Sequence, residues 1–110
     1  AQSGFSANFP HMINEQSKHL AYIISEARAR QARTVEVTPE AEQAWVDEIV
    51  RLAIMRAPFL EACTPGYYNN EGNVRAMSAK NGSYGAGPVA FVKVLERWRE
   101  AGELEGLTLS

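Results

Sequence analysis

The first part of the chain carries apolar side chains at three- and four-residue spacing. They are Ile13, Leu20, Ile23, Ile24 and Ala27. This spacing places them on one face of a helix, so we predict a helix over about residues 10–31. Asn8 can cap its N-terminus. Pro10 lies in the first turn, where its missing N–H costs nothing because that position has no helical acceptor.

A second helix is predicted over about residues 39–57. Thr38 can cap it, and Pro39 takes the first helical position, where the fixed φ of proline is already helical. Trp45 lies on its apolar face. We expect Pro58 to end this helix, because the proline ring clashes with the carbonyl four residues back.

A third helix is predicted over about residues 88–101. Pro88 begins it, and Gly102 suits a helix C-terminus because glycine accepts a left-handed conformation. Between the second and third helices, residues 63–87 show no periodicity and are rich in glycine and proline. We therefore expect a long loop there, which in a compact domain is usually functional or mobile.

Two short strands complete the predicted fold. Residues 34–37, "TVEV", alternate β-branched side chains with a glutamate, and the leucines of residues 104–109 alternate loosely. Because a two-stranded ribbon is marginal in water, we expect the strands to belong to a larger sheet. The predicted fold class is mainly α, with three helices, one or two short strands and a long loop, as an incomplete piece of a larger protein.

Composition and charge narrow the function classes. The chain has 110 residues, of which 45% are hydrophobic and 22% charged, values that suit one folded domain rather than disorder or a membrane span. A net charge of −2 gives no basic surface for nucleic acid. Cys63 is the only cysteine, and the opening residues show no secretory signal. We expect a cytoplasmic location and no membrane or nucleic-acid partner.

The residue types that usually carry chemistry give little support for catalysis. His11 and His19 lie about two helical turns apart, but no cysteine or carboxylate completes a zinc set, so no metal site is expected. Residues 82–88, "GSYGAGP", precede a helix but lack the G-x-G-x-x-G pattern and the Lys-Ser/Thr of a phosphate loop. We interpret them as a flexible hinge, and we expect Trp45 and Trp98 to pack in the core.

Two stretches do not fit this description of a plain helical domain. Residues 63–73, "CTPGYYNNEGN", place large aromatic rings in the middle of a polar loop. Residues 3–16, "SGFSANFPHMINEQ", lead from a bend of small residues into a helix N-terminus, where free N–H groups can meet a partially negative oxygen. Three hypotheses stay open on this basis: part of an enzyme, a stand-alone helical interaction module, or a small autonomous ligand binder.

Together with "YGAGPVAFVKVLERWREAGELEGL" (84–107), these stretches resemble the C-terminal end of Baeyer–Villiger monooxygenases, in the branch acting on bulky or cyclic ketones. The resemblance implies a parent enzyme that uses FAD, NADPH and oxygen to insert an oxygen atom beside a ketone, giving an ester or lactone. The family's G-x-G-x-x-G motifs, its F-x-G-x-x-x-H fingerprint and its active-site arginine are not in this sequence. The resemblance therefore implies a fragment, which we expect to be inert as an isolated chain.

The resemblance also implies a division of the chain within a larger α/β flavoprotein that has two dinucleotide-binding domains. Residues 1–37 match the last helix and strand of the FAD-binding region. Residues 38–110 match a C-terminal helical extension that contains the active-site loop 63–87. The expected partners are a ketone, oxygen and the remainder of the FAD and NADP domains, and surfaces left exposed favour self-association.

The resemblance assigns Asn8, Phe9 and Pro10 to cofactor binding. They match the turn into the helix whose N-terminus faces the flavin, where N–H groups would stabilise negative charge on the ring. Ser6 and Ala7 match the bend that borders the ketone pocket.

The resemblance also assigns Tyr67, Tyr68 and Asn69 to the loop that closes over nicotinamide and substrate. The glycines and proline around this loop would let it move. No residue of the chain matches a catalytic acid or base of the family.

Overall fold

The computed structural model describes residues 8–53, 57–74 and 77–110. Its helices are α1 (Phe9–Ala29), α2 (Pro39–Arg51), α3 (Ala57–Glu61) and α4 (Pro88–Ala101), and its strands are β1 (Val35–Val37) and β2 (Leu107–Leu109). Short 3₁₀ segments lie at Tyr67–Gly72 and Ala79–Asn81. The mainly helical fold with a short two-stranded sheet agrees with the prediction. No helix in the described ranges combines the length and apolar character needed to cross a membrane.

The predicted helix starts are confirmed in atomic detail. Asn8 Oδ1 accepts a hydrogen bond from the His11 N–H at 3.2 Å at the start of α1. Thr38 Oγ1 accepts one from the Ala41 N–H, also at 3.2 Å, at the start of α2. Each side chain satisfies an N–H that has no partner within its own helix. The predicted end of the last helix is also confirmed: α4 ends at Ala101, and the next residue, Gly102, has a left-handed φ of 72°.

α2 ends at Arg51, earlier than the predicted end near residue 57, and α3 follows as a separate short helix. The backbone of the segment before α4 is pressed against the end of α2 at this point. A Cβ placed on Gly85 would lie 1.7 Å from the Leu52 carbonyl oxygen. Leu52 itself leaves the helical conformation, with φ −91° and ψ 0°. The helix therefore ends where another part of the chain crosses it.

The two strands pair with each other, so the short-strand prediction is confirmed. β1 and β2 run antiparallel, with Val35 opposite Leu109 and Val37 opposite Leu107. The carbonyl oxygen of Ser110 accepts hydrogen bonds from the N–H groups of Arg33 at 2.6 Å and Thr34 at 2.7 Å. The C-terminal residues are thereby fastened to the segment that follows α1.

An aromatic and aliphatic core joins α1, α2, α4 and the segment before α4. Its buried members are Met12, Ile49, Tyr84 and Phe91, with Trp45, Leu52 and others partly buried against them. The rings of Trp45 and Tyr84 stack nearly parallel, with centroids 5.6 Å apart. The expected core packing of Trp45 is confirmed. Tyr84 belongs to the stretch that we interpreted as a hinge, and in the structure its ring anchors that stretch to the core.

Trp98 packs between α4 and α1. Its ring meets the edge of His19 at a centroid distance of 4.9 Å and that of Tyr22 at 6.2 Å. Its indole Nε1–H donates a hydrogen bond to the Glu105 carbonyl at 2.9 Å. The ring contacts and this hydrogen bond link Trp98 both to α1 and to the chain that follows α4.

Large apolar side chains on α1 face away from this core. Phe9, Ile13, Leu20 and Ile24 are 66%, 52%, 58% and 49% exposed. Their spacing is close to whole helical turns, so they form one outward stripe. The molecule is also elongated: its radius of gyration is 16.5 Å, against about 13 Å for a compact domain of this length. The fold leaves an apolar face of α1 without cover from the described residues.

Candidate functional site

The N-terminal turn of α1 is an exposed, capped helix start. Asn8, Phe9 and Pro10 are all exposed. Pro10 has no N–H, and the N–H of His11 already donates to the Asn8 side chain. This turn therefore offers a ligand fewer hydrogen-bond donors than an uncapped helix would. The positive end of the 21-residue helix remains and favours negative charge nearby. Ser6 and Ala7, which the sequence places beside this turn, lie outside the described residues.

A cleft of about 310 Å³ adjoins this turn, between the first turns of α1 and α4. It is lined by His11, Met12, Pro88, Val89, Val92, Lys93 and Glu96. Most of its surface is apolar, and its polar side chains are His11 from α1 and Lys93 and Glu96 from α4. Sequence reasoning did not find this cleft, because its two walls lie more than 70 residues apart in the chain.

The loop after α3 presents one aromatic ring to solvent. Tyr67 is 89% exposed. The side chain of Tyr68 lies outside the described part of the structure. Asn69, the third residue assigned to this loop, is only 3% exposed. Neighbouring residues of the loop therefore differ sharply in what a ligand could reach.

The Asn69 carboxamide is bonded to the backbone on every side. Its Oδ1 accepts hydrogen bonds from the N–H groups of Gly66 at 2.8 Å and Gly72 at 3.2 Å. Its Nδ2 lies within hydrogen-bond distance of three carbonyl oxygens: Leu60 at 3.2 Å, Cys63 at 3.4 Å and Thr64 at 3.1 Å. These bonds connect the end of α3 to both sides of the loop.

The residues after Asn69 hold an unusual backbone conformation. Asn70 and Glu71 both have a φ of 53°, in the left-handed region that costs a non-glycine residue about 1–2 kcal/mol. Asn70 is exposed, and its Nδ2 donates one hydrogen bond to the Asn73 carbonyl at 3.0 Å. The loop is a tightly wound turn, and its shape is held by the bonds of the Asn69 side chain and by backbone bonds such as that from the Glu71 N–H to the Gly66 carbonyl at 2.9 Å.

Charged and polar groups line the contact between α1 and α4. The hydrogen bond from Lys18, at 2.6 Å, lowers the pKa of the buried Glu15 carboxyl, which is therefore ionised at neutral pH. Burial, and next the positive charge of Arg99, lower the pKa of His19. Within the described residues, no three His, Cys, Asp or Glu side chains are grouped as a metal ion would require.

The two candidate groups are carried by different parts of the fold. Asn8, Phe9 and Pro10 belong to α1, which packs against α4. Tyr67 and Asn69 belong to the loop that packs against α3. Each group presents an exposed aromatic ring, Phe9 in the first and Tyr67 in the second.

Comparison with known proteins gives consistent matches. The chain is 50% identical over 109 residues to neopentalenolactone D synthase of Streptomyces avermitilis, covering 99% of this chain and 18% of that protein. It is 37% identical over 110 residues to Baeyer–Villiger monooxygenase ATR8 of Stachybotrys chlorohalonatus, covering 99% of this chain and 18% of the relative. A relative from Hypomyces subiculosus, described as an FAD-binding monooxygenase, is also 37% identical, over 97% of this chain and 18% of its own length. No family model matches the chain.

The fold also matches a solved structure. The polycyclic ketone monooxygenase of the thermophilic fungus Thermothelomyces thermophila superposes with a TM-score of 0.75 at 32% identity, covering 96% of this chain and 17% of that one. The chain thus has the sequence and fold of one segment of a larger monooxygenase. It belongs to the Baeyer–Villiger monooxygenase family and spans about 18% of the length of the curated relatives that it matches.

Proposed function

We propose that this chain is the C-terminal portion of an enzyme that uses FAD, NADPH and oxygen to convert a ketone into an ester or lactone. The observation that carries the proposal is the 50% and 37% identity over 99% of the chain to neopentalenolactone D synthase and to a Baeyer–Villiger monooxygenase. In this proposal, residues 1–37 complete the FAD-binding region. Residues 38–110 form the extension that covers the active site with the loop 63–87.

FAD, when bound in the complete enzyme, supplies the activation of oxygen. The residues that would meet it here are Asn8, Phe9 and Pro10. The positive end of α1 suits the negative charge of a reduced flavin, and the exposed Phe9 ring offers an apolar surface between flavin and ketone. The capped turn has few free N–H groups, so the helix dipole carries most of the electrostatic effect. Ser6 and Ala7 would border the ketone at the same turn.

The loop of Tyr67, Tyr68 and Asn69 would close over nicotinamide and ketone. The observation that supports this role is the Tyr67 ring, which is 89% exposed and therefore accessible to a flat cofactor or an apolar substrate. A loop that closes in this way excludes water from the reacting groups. In this proposal, the contribution of the loop is positioning and exclusion of water.

The outward stripe of α1 supports the view that the rest of the enzyme packs against this segment. Four large apolar side chains exposed along one helix face are unusual on a free monomer. We expect the 110-residue chain, mixed with FAD, NADPH and a cyclic ketone, to show no ketone-dependent NADPH oxidation. The complete protein from the same reading frame should show it. Lactone formation by the 110-residue chain would refute this assignment.

Two matched helix caps test the cofactor role of the α1 turn. Asn8 and Thr38 each accept one N–H bond at 3.2 Å, so replacing either by alanine removes the same kind of bond. Each loss should cost about 0.5–2 kcal/mol of stability. In the complete protein, Asn8→Ala should also weaken FAD retention or slow flavin reduction, whereas Thr38→Ala should not. Flavin absorbance after dialysis and stopped-flow reduction measure the difference.

Equal flavin retention in the two variants would show that Asn8 only caps the helix.

Phe9→Ala tests the proposed position of the Phe9 ring between flavin and ketone. Because the ring would stand between flavin and ketone, its loss should change the relative kcat/KM among cyclic ketones of different size. A uniform loss towards every ketone, matched by lost stability, would contradict that placement.

A further inference from the structure

The Asn69 carboxamide is the most extensively bonded side chain of the loop after α3. We propose that Asn69 is a positioning residue: it holds the loop 63–73 in the shape that presents the Tyr67 ring, and it does not contact a ligand itself. This inference rests on the proposed function, because it assumes that the Tyr67 ring faces cofactor and substrate.

The burial and bonding of Asn69 exclude direct recognition of a ligand by its side chain. The residue is 3% exposed, and its oxygen accepts from both Gly66 and Gly72. The two hydrogens on Nδ2 are shared among three carbonyl oxygens. An amide offers two donors and an acceptor with two lone pairs, so its full capacity is used inside the loop.

The Asn69 side chain adds five contacts to the backbone bonds of the loop, such as the one from the Glu71 N–H to the Gly66 carbonyl at 2.9 Å. Asn70 and Glu71 hold left-handed conformations that are unfavourable without support. Removing the carboxamide would leave two N–H donors and several carbonyl oxygens without their partner in a buried position. The turn would then relax, and Tyr67, two residues before Asn69, would lose its fixed direction.

Asn70 is the matched control. It has the same side chain, lies next to Asn69 and is exposed, with a single bond to Asn73. Asn69→Asp and Asn70→Asp add the same charge and keep nearly the same shape. At position 69 the new carboxylate oxygen would face the three carbonyls and repel them, whereas at position 70 it would face solvent. Asn69→Ala serves as a second variant, which removes the bonds without adding charge.

The experiment uses the complete FAD-loaded protein. Hydrogen exchange of peptides covering residues 60–73 should be about tenfold faster in Asn69→Asp than in wild type, since each lost buried bond is worth about this factor. KM for NADPH and for the ketone should rise by a similar factor, with a smaller change in kcat and unchanged flavin content. Asn70→Asp should stay within about twofold of wild type in both measurements.

Equal exchange in the two aspartate variants would overturn the inference. Faster exchange with unchanged KM values would also overturn it, because the loop would then have no bearing on the reaction. A wild-type protein without ketone-dependent NADPH oxidation would refute the proposed function and the positioning role together. That failure is distinguishable, since it is seen before any residue is changed.

Discussion

Ile49 in the core and Asn69 in the loop after α3 are buried to nearly the same degree but are held in place by different forces. Ile49 is 0% exposed and packs among Met12, Tyr84 and Phe91. Asn69 is 3% exposed and is surrounded by backbone groups that its amide bonds. One region is a set of apolar surfaces in contact, and the other is a turn assembled around a single polar side chain.

The difference decides how each region responds to change. Apolar packing is non-directional and shared among many side chains, so the core depends on the volume that its residues fill. Hydrogen bonds are directional, and five of them converge on the one carboxamide. The loop therefore depends on which atoms stand at position 69. The core should govern the stability of the whole chain, and the loop should govern local order.

The largest effect is expected from Ile49→Ala. It opens a cavity at the most buried position of the core and should cost about 2–5 kcal/mol of unfolding free energy. Val50→Ala is the control, because Val50 is 48% exposed and should cost less than about 0.5 kcal/mol. Urea unfolding of both variants and of Asn69→Ala measures the contrast. A larger loss of global stability in Asn69→Ala than in Ile49→Ala would reverse the distinction between the two regions.

A smaller effect is expected from Gly85→Ala, where the segment before α4 meets the core. The added Cβ would lie 1.7 Å from the Leu52 carbonyl oxygen, so the backbone must shift, at about 1–3 kcal/mol. Gly66→Ala is the matched change in the loop: its φ of −178° is extended, the nearest atom lies 3.9 Å away, and its N–H to Asn69 is kept. Equal losses in the two melting curves would contradict this contact geometry.

The sequence predicted those features that depend on a few adjacent residues. Three helix starts could be predicted: the caps at Asn8 and Thr38 and the first residue of α4 at Pro88. In each case the capping side chain or the proline lies within three residues of the helix turn that it stabilises. Core packing of Trp45 followed from periodicity alone. Local chemistry fixes these elements in any fold that contains them.

Features set by distant parts of the chain could not be predicted. The end of α2 depends on Gly85, which lies 33 residues beyond Leu52. The sequence also gives Asn69 and Asn70 the same side chain, and only the fold shows that one is buried and the other exposed. The flanking glycines hint at a wound turn, but they do not say which asparagine lies inside it.

His19 differs from both Ile49 and Asn69, because it is a partly buried polar ring with a nitrogen that lacks a hydrogen-bond partner in the described part of the structure. Among the described residues, His19 Nδ1 and Arg99 Nη1 are buried without hydrogen-bond partners, in contrast to the fully bonded amide of Asn69. The ring meets Trp98 at 4.9 Å. Burial first, and then the charge of Arg99, lower the pKa of His19 in the folded chain. Its protonation is therefore linked to unfolding.

The smallest expected effect is the pH dependence that this linkage produces. Because the folded pKa of His19 lies below the unfolded value of about 6.5, the unfolded chain binds the proton more readily. The stability from neutral His19 is fully present above that value and is lost as pH falls through the folded pKa. His19→Gln should therefore show a shallower loss of unfolding free energy below pH 6.5 than wild type. The wild-type chain is the reference for this slope. Urea unfolding at several pH values compares them, and parallel slopes for wild type and His19→Gln would show that the α1–α4 contact accommodates the charged ring.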